Sequence, residues 1–176
     1  LERSESAEKA IDVITQLVDQ YNDDNSSVEN LSKYGFFICD MNDVFVLDIC
    51  GKMWAAEKIV DTFRAFGNSF SVRTKIDKKS EGLDEKLKDL GLLEGDEVDF
   101  SSAFKSTSDL KWPCEEPDSS FSAQKMFQVL RSSSSSSQEE IASSFVGVLK
   151  EGAPCVYWFT GTPNPTRSVF KPFIFT

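Results

Sequence analysis

The sequence predicts an α+β fold, with helices and antiparallel strands grouped in blocks rather than alternating as βαβ units. Three observations carry that prediction. An apolar stripe at helical spacing opens the chain, a strand–turn–strand signature follows it, and strand-like runs gather again near the end. The 176 residues fit one domain or a large piece of one, and a hydrophobic fraction of 40% with 15 Phe suffices to fill a core.

Residues 5–21 place Ile11, Ile14, Leu17, Val18 and Tyr21 three or four apart, the spacing of one helix face, with Glu5 and Glu8 near the positive end of the helix dipole. "NDDNSSVEN" (22–30) reads as a loop. "YGFFICDMNDVFVLDICG" (34–51) reads as a β-hairpin, because two apolar runs flank Met41, Asn42 and Asp43, and Asn and Asp suit turns. In its second run Phe45, Leu47 and Ile49 alternate with Val44, Val46 and Asp48. "MWAAEKIV" (53–60) fits helix or strand equally well. "NSFSVRTKI" (68–76) alternates and reads as a strand.

Short helices are expected at 83–90 and 97–105, and a two-proline loop at 108–120. Residues 121–131 place Phe121, Met126, Val129 and Leu130 at helical spacing, and the serine tract 132–137 reads as a connector. Three further strands are expected within 139–149, 154–161 and 167–175. The chain opens on Leu1 rather than Met and closes in an apolar run, so we expect a piece of a longer protein.

Charge and residue content exclude several function classes. A net charge of −10 would repel nucleic-acid phosphates and anionic lipid, so neither is an expected partner. No stretch approaches the roughly 20 apolar residues of a membrane span, so no integral membrane segment is expected. The opening residues read as an amphipathic helix rather than a signal peptide. Cys39, Cys50, Cys114 and Cys155 match no zinc or redox spacing; Cys39 and Cys50 lie in apolar runs and are expected to be buried thiols. "EGDEVD" (94–99) lacks the calcium-loop spacing, so it reads as a solvated acidic loop, and no metal or cofactor is expected.

The chain contains no histidine, which removes Ser-His-Asp and Cys-His machinery and His-ligated zinc. One hydrolase design needs none. In N-terminal-nucleophile enzymes the first residue of the mature chain attacks, and its own α-amino group, with an ordinary pKa of about 8, acts as the base.

Three stretches give that design substance. "LERSESAEKAIDVI" (1–14), "DVFVLDICGKMWAAEKI" (43–59) and "FTGTPNPTRSVFKPFIF" (159–175) resemble, in the same order, segments of the secernins. The last is the most specific, and the likeness thins between about residues 78 and 145. Secernins are similar to cysteine dipeptidases of the N-terminal-nucleophile class. The resemblance implies a four-layer αββα sandwich of two stacked antiparallel sheets covered by helices. It also implies a cytoplasmic protein linked to regulated exocytosis.

In that family the nucleophilic Cys, with Arg and Asp companions, lies in the N-terminal segment. Residues 1–176 would therefore be the central part of a single secernin-like hydrolase domain, lacking the nucleophile segment and the C-terminal region. The resemblance offers Asn68 as an oxyanion-hole amide, with a strand-entry turn as its plainer role. Trp54 is a candidate for lining a substrate pocket or for core packing. Arg167 is a candidate for clamping a peptide carboxylate or for pinning its own turn. The expected substrate is a peptide or dipeptide. A second reading makes the scaffold a non-catalytic interaction protein with exocytic or cytoskeletal partners.

Overall fold

The computed structural model describes residues 3–22, 27–60, 69–93, 95, 97–105, 122–133, 143–161 and 165–174. It is a mixed α+β structure with antiparallel sheets, divided into two compact units, residues 1–108 and 109–176. Among the described residues no helix is long and apolar enough to cross a membrane.

The first unit opens with α1 (Ala7–Tyr21), two residues shorter than its pattern because Ser6 stops it. Ser6 is extended, and its hydroxyl accepts the Lys9 amide at 3.2 Å, satisfying one donor group that the first helical turn leaves unpaired. The buried stripe Ala7, Ala10, Ile11, Thr15 and Val18 lies on one face. At the other end Asn22 closes the helix, its side-chain Nδ2 donating to the Gly51 carbonyl at 2.6 Å and its backbone amide to the Val18 carbonyl at 2.9 Å.

That stripe packs on a four-stranded antiparallel sheet ordered β1 (Lys33–Cys39), β2 (Val44–Cys50), β3 (Met53–Lys58), β4 (Lys78–Lys79). The β1–β2 turn is the expected one. Asp40 accepts the amides of Asn42 and Asp43 at 2.7 and 2.8 Å, an Asx turn that Asp is built to make. The β2–β3 turn is Gly51-Lys52. Gly51 has φ +60°, and a side chain there would start 3.0 Å from Leu31, so glycine answers two demands at once. Residues 53–58, ambiguous by pattern, form a strand because β2 offers a full ladder from Phe45↔Lys58 to Cys50↔Met53.

β2 is buried on both faces. Phe45, Leu47 and Ile49 join Ile11, Val18 and Ala56 in the cluster under α1. Val46 and Cys50 face a second cluster with Val72, Leu83, Leu87 and Phe100. The second cluster is closed by α2 (Leu83–Asp89) and by α3 (Phe100–Ala103), a single turn where a longer helix was expected. Asp99 caps α3 by accepting the Ser102 amide at 2.9 Å.

Two expectations are corrected here. Residues 69–76 are not a strand; the sheet gains only Lys78–Lys79, paired with Ala55 and Ala56. The preceding backbone is held instead by a side chain and by α3, as described below. Cys39 is exposed rather than buried, because β1 is an edge strand whose outer positions nothing covers among the described residues. Cys50 is buried as expected, and Cys155 is half-buried; Cys114 lies outside the described residues.

The second unit holds α4 (Ala123–Ser133) and a sheet ordered β5 (Ser144–Val148), β6 (Val156–Thr160), β7 (Lys171–Ile174). All three strands fall within the expected ranges. The first residues of 167–175 are not extended, because Pro165–Arg167 form a 3-10 turn before β7. α4 packs through Phe127, stacked on Phe170 at 4.6 Å and edge-on to Trp158 at 5.7 Å.

Candidate functional site

Asp48 is the feature of the first unit that local patterning does not account for. It occupies the middle of β2 with no exposed surface. A carboxylate in such a place costs several kcal/mol unless it is strongly hydrogen-bonded. Here its Oδ2 accepts two consecutive backbone amides, Ser71 at 2.6 Å and Val72 at 2.7 Å. The strand neighbours opposite it are Gly35 and Ala55, the smallest residues on that face, so a backbone can come close.

The same segment is gripped from its other side. Ser101 donates to the Val72 carbonyl at 2.9 Å and Phe100 to the Arg73 carbonyl at 3.3 Å. Arg73 then reaches Asp99 through Nε and Nη2, at 3.0 and 2.9 Å, with the Asp99 carboxylate already capping α3. For Asp99, burial alone would raise the pKa, and the Ser102 amide and the Arg73 guanidinium outweigh it, holding the carboxyl below its ordinary range. Residues 71–73 are thus fixed by a carboxylate on the sheet and by the start of a helix. These bonds take the place of a strand ladder, which is why the alternating pattern did not become a strand.

A second carboxylate lies on the same face of the sheet. Glu57 is nearly buried on β3 and pairs with Lys75 at 3.8 Å, while Lys75 also donates to the Lys58 carbonyl at 2.9 Å. Among the described residues no group of three His, Cys, Asp or Glu is arranged to hold a metal ion. Burial pushes the Cys50 thiol up to about 11, against a small opposing pull from Lys33, so it is protonated and inert at neutral pH.

The expected site residues are placed as follows. Asn68 lies outside the described residues; Ser69 is the first described residue after it. Trp54 is half-buried on β3 opposite Ile49, packed on the cluster under α1, and its backbone exchanges bonds with Ser80 through an amide donated to the hydroxyl and a carbonyl accepting the Ser80 amide. It is on the sheet face opposite Asp48. Arg167 belongs to the second unit and is exposed at the end of the 3-10 turn.

In that turn the pinning falls to another residue. Arg131, near the end of α4, donates to the carbonyls of Pro165 at 3.2 Å and Ser168 at 3.3 Å, and its guanidinium lies 5.4 Å from the Phe170 ring centre. Sequence reasoning named neither Asp48 nor Arg131 as special. Asp48 did carry a legible signal, an acid inside the apolar run "VFVLDIC"; Arg131 carried none, since a basic residue near a helix end is ordinary. None of these residues lines the open groove of about 480 Å³ between residues 3–5 and α1, which is walled by Arg3, Glu5, Lys9 and Asp12 among others.

Compared with known proteins, the chain matches no family model and no solved structure. The likeness to secernins therefore rests on the three quoted stretches.

Proposed function

We propose that residues 1–176 are the central part of a secernin-like cysteine hydrolase of the N-terminal-nucleophile type, acting on dipeptides or short peptides in the cytoplasm. The observation that carries this reading is the likeness of residues 1–14, 43–59 and 159–175, in the same order, to secernin segments. Asp48, within one of those stretches, is buried on β2 and accepts the Ser71 and Val72 amides. Within residues 1–176, burial keeps the Cys50 thiol protonated at neutral pH, so it is not the nucleophile of this reading.

In this reading the N-terminal thiolate attacks the peptide carbonyl, the free α-amine carries the proton, and the Asn68 side-chain amide donates to the oxyanion. In this reading the parent domain has the four-layer αββα sandwich that the resemblance implies. Residues 1–176 alone are expected to be catalytically silent.

The test is a dipeptide panel assayed with the intact protein and with residues 1–176 alone, alongside mass determination of the mature N-terminus. Turnover by the intact protein, an N-terminal Cys and silence of the shorter chain are expected. Turnover by residues 1–176 would overturn the assignment of the nucleophile. An intact protein without an N-terminal Cys and without turnover would favour the second reading, a non-catalytic partner-binding scaffold in exocytosis.

A further inference from the structure

We propose that β1 is a pairing edge for a second copy of this chain, joining two four-stranded sheets into one through an antiparallel β1–β1 contact about a two-fold axis. The two edges of the first sheet are protected very differently. β4 is two residues long and both are lysine, a charged stub that discourages further pairing. β1 runs for seven residues in unbroken register with β2, so it carries no bulge. It has no proline and a single charge, Lys33 at its first position. Tyr34 and Phe37 along it are 44% and 48% exposed. A long, regular, apolar edge of this kind is a template for another strand.

The backbone groups that would make the new ladder follow from the bonds at the two ends of the β1–β2 hairpin. The Asp40 amide donates to the Asp43 carbonyl at 3.0 Å, and the Gly51 amide donates to the Ser32 carbonyl at 2.9 Å. Residues 32 and 40 are therefore turned toward β2, and by alternation so are 34, 36 and 38. Lys33, Gly35, Phe37 and Cys39 turn their amides and carbonyls the other way, to the outside of the sheet.

A second copy suits this edge because the strand is complementary to itself. A two-fold axis perpendicular to the sheet keeps the α1 side of both copies on one face, so odd residues must oppose odd ones and even must oppose even. The register centred on Phe36 meets that condition and pairs the whole strand, with Lys33 opposite the partner's Cys39. It sets Phe37 opposite the partner's Gly35, a ring over the smallest residue, and Tyr34 opposite the partner's Ile38. Phe36 faces its own symmetry mate. The two Lys33 side chains fall at opposite ends of the ladder, about 20 Å apart, so like charges do not meet along it. Such a contact buries less than the roughly 1,200 Å² typical of stable complexes, so the dimer is expected to depend on concentration.

The experiment follows the mass of the intact protein by sedimentation over a concentration series, together with hydrogen exchange of the Gly35 and Phe37 amides. The mass is expected to double as concentration rises, and both amides to slow with it. Phe37→Pro removes an outward amide and spares the bonds to β2, so it is expected to keep the mass at that of one chain. Phe37→Lys keeps every backbone group and serves if the proline variant does not fold. It removes two symmetric ring contacts and should raise the dissociation constant about tenfold. In a Cys39→Ser background, Phe36→Cys is expected to form a 36–36 disulfide between copies, because residues facing each other in a pair without ladder bonds lie about 4.5 Å apart at Cα. Tyr34→Cys is expected to form none with itself.

A mass of one chain at every concentration would overturn the proposal. Slow exchange of the two amides in that monomer would show that the chain covers its own edge, and fast exchange that the edge stays open. A dimer that survives Phe37→Pro, or that cross-links through Tyr34→Cys rather than Phe36→Cys, would also overturn it by placing the contact elsewhere.

Discussion

The two units each contain an antiparallel sheet packed on a helix, yet they treat the second face of that sheet in opposite ways. In the first unit β2 is covered on both sides, by α1 on one and by α2, α3 and residues 69–73 on the other. In the second unit α4 and Phe170 cover the face that carries Val146 and Trp158. The other face presents Phe145, Tyr157, Phe159 and Phe173, with Phe145, Phe159 and Phe173 exposed by 57%, 40% and 47%. Cross-strand pairing puts Phe145 beside Phe159 and Tyr157 beside Phe173, and the Phe145 and Tyr157 rings stack at 5.7 Å. The lesson is that alternation of side chains fixes which residues share a face, whereas coverage of that face depends on what else the chain brings to it.

That contrast can be tested from both ends. Phe100 is fully buried against Phe70 and Phe104, so Phe100→Ala should destabilise the first unit by about 3–5 kcal/mol, read from urea unfolding. A loss below about 1 kcal/mol would mean that the second cluster is not a packed core. Arg131→Ala should cost the second unit about 1.5–3 kcal/mol by removing charged bonds to two carbonyls and the contact with Phe170. Arg131→Lys should recover only part of this, since lysine lacks the planar fork.

An acid titration sharpens the comparison within the first unit. The amides of Ala7, then Asn42 and Asp43, hold the Asp40 carboxyl below its ordinary value of 3.8, with Lys58 adding a little and burial opposing. A depressed folded-state pKa gives stability that is present above about 3.8 and is lost as the pH falls through the folded value. The melting temperature should therefore decline below about pH 4, and Asp40→Asn should flatten that decline. An identical acid limb in the variant would remove Asp40 from the account. Asp40 also joins the β1–β2 turn to the start of α1 through the Ala7 amide at 2.7 Å, so circular dichroism should show the helix fraying first.

The smallest effect is expected on the open face of the second sheet. Phe159→Ser removes one cross-strand aromatic pair and should change stability by about 0.2–1 kcal/mol. A loss of several kcal/mol would show that this face is covered in solution.

Much of the architecture was legible because it follows from local periodicity and turn chemistry. The α1 stripe, the Asp40–Asp43 turn and the three strands of the second sheet each depend on residues within a few positions of one another. Residues 53–58 were undecided until β2 supplied a partner ladder, because a short apolar run takes its form from its neighbours. Cys39 was misread because an apolar run does not tell an edge strand from a central one. Residues 69–76 were misread for a different reason. Their alternation is real, but the carboxyl group of Asp48, more than twenty residues earlier, accepts the Ser71 and Val72 amides, which are then not available to a strand ladder.

By itself, then, the sequence determined most of the helical and strand-forming segments and the turns between them. Only the tertiary structure decided which faces are covered and what holds residues 71–73. Local pattern sets how a segment alternates, while burial of a carboxylate and the pairing of distant amides arise only when separate parts of the chain meet.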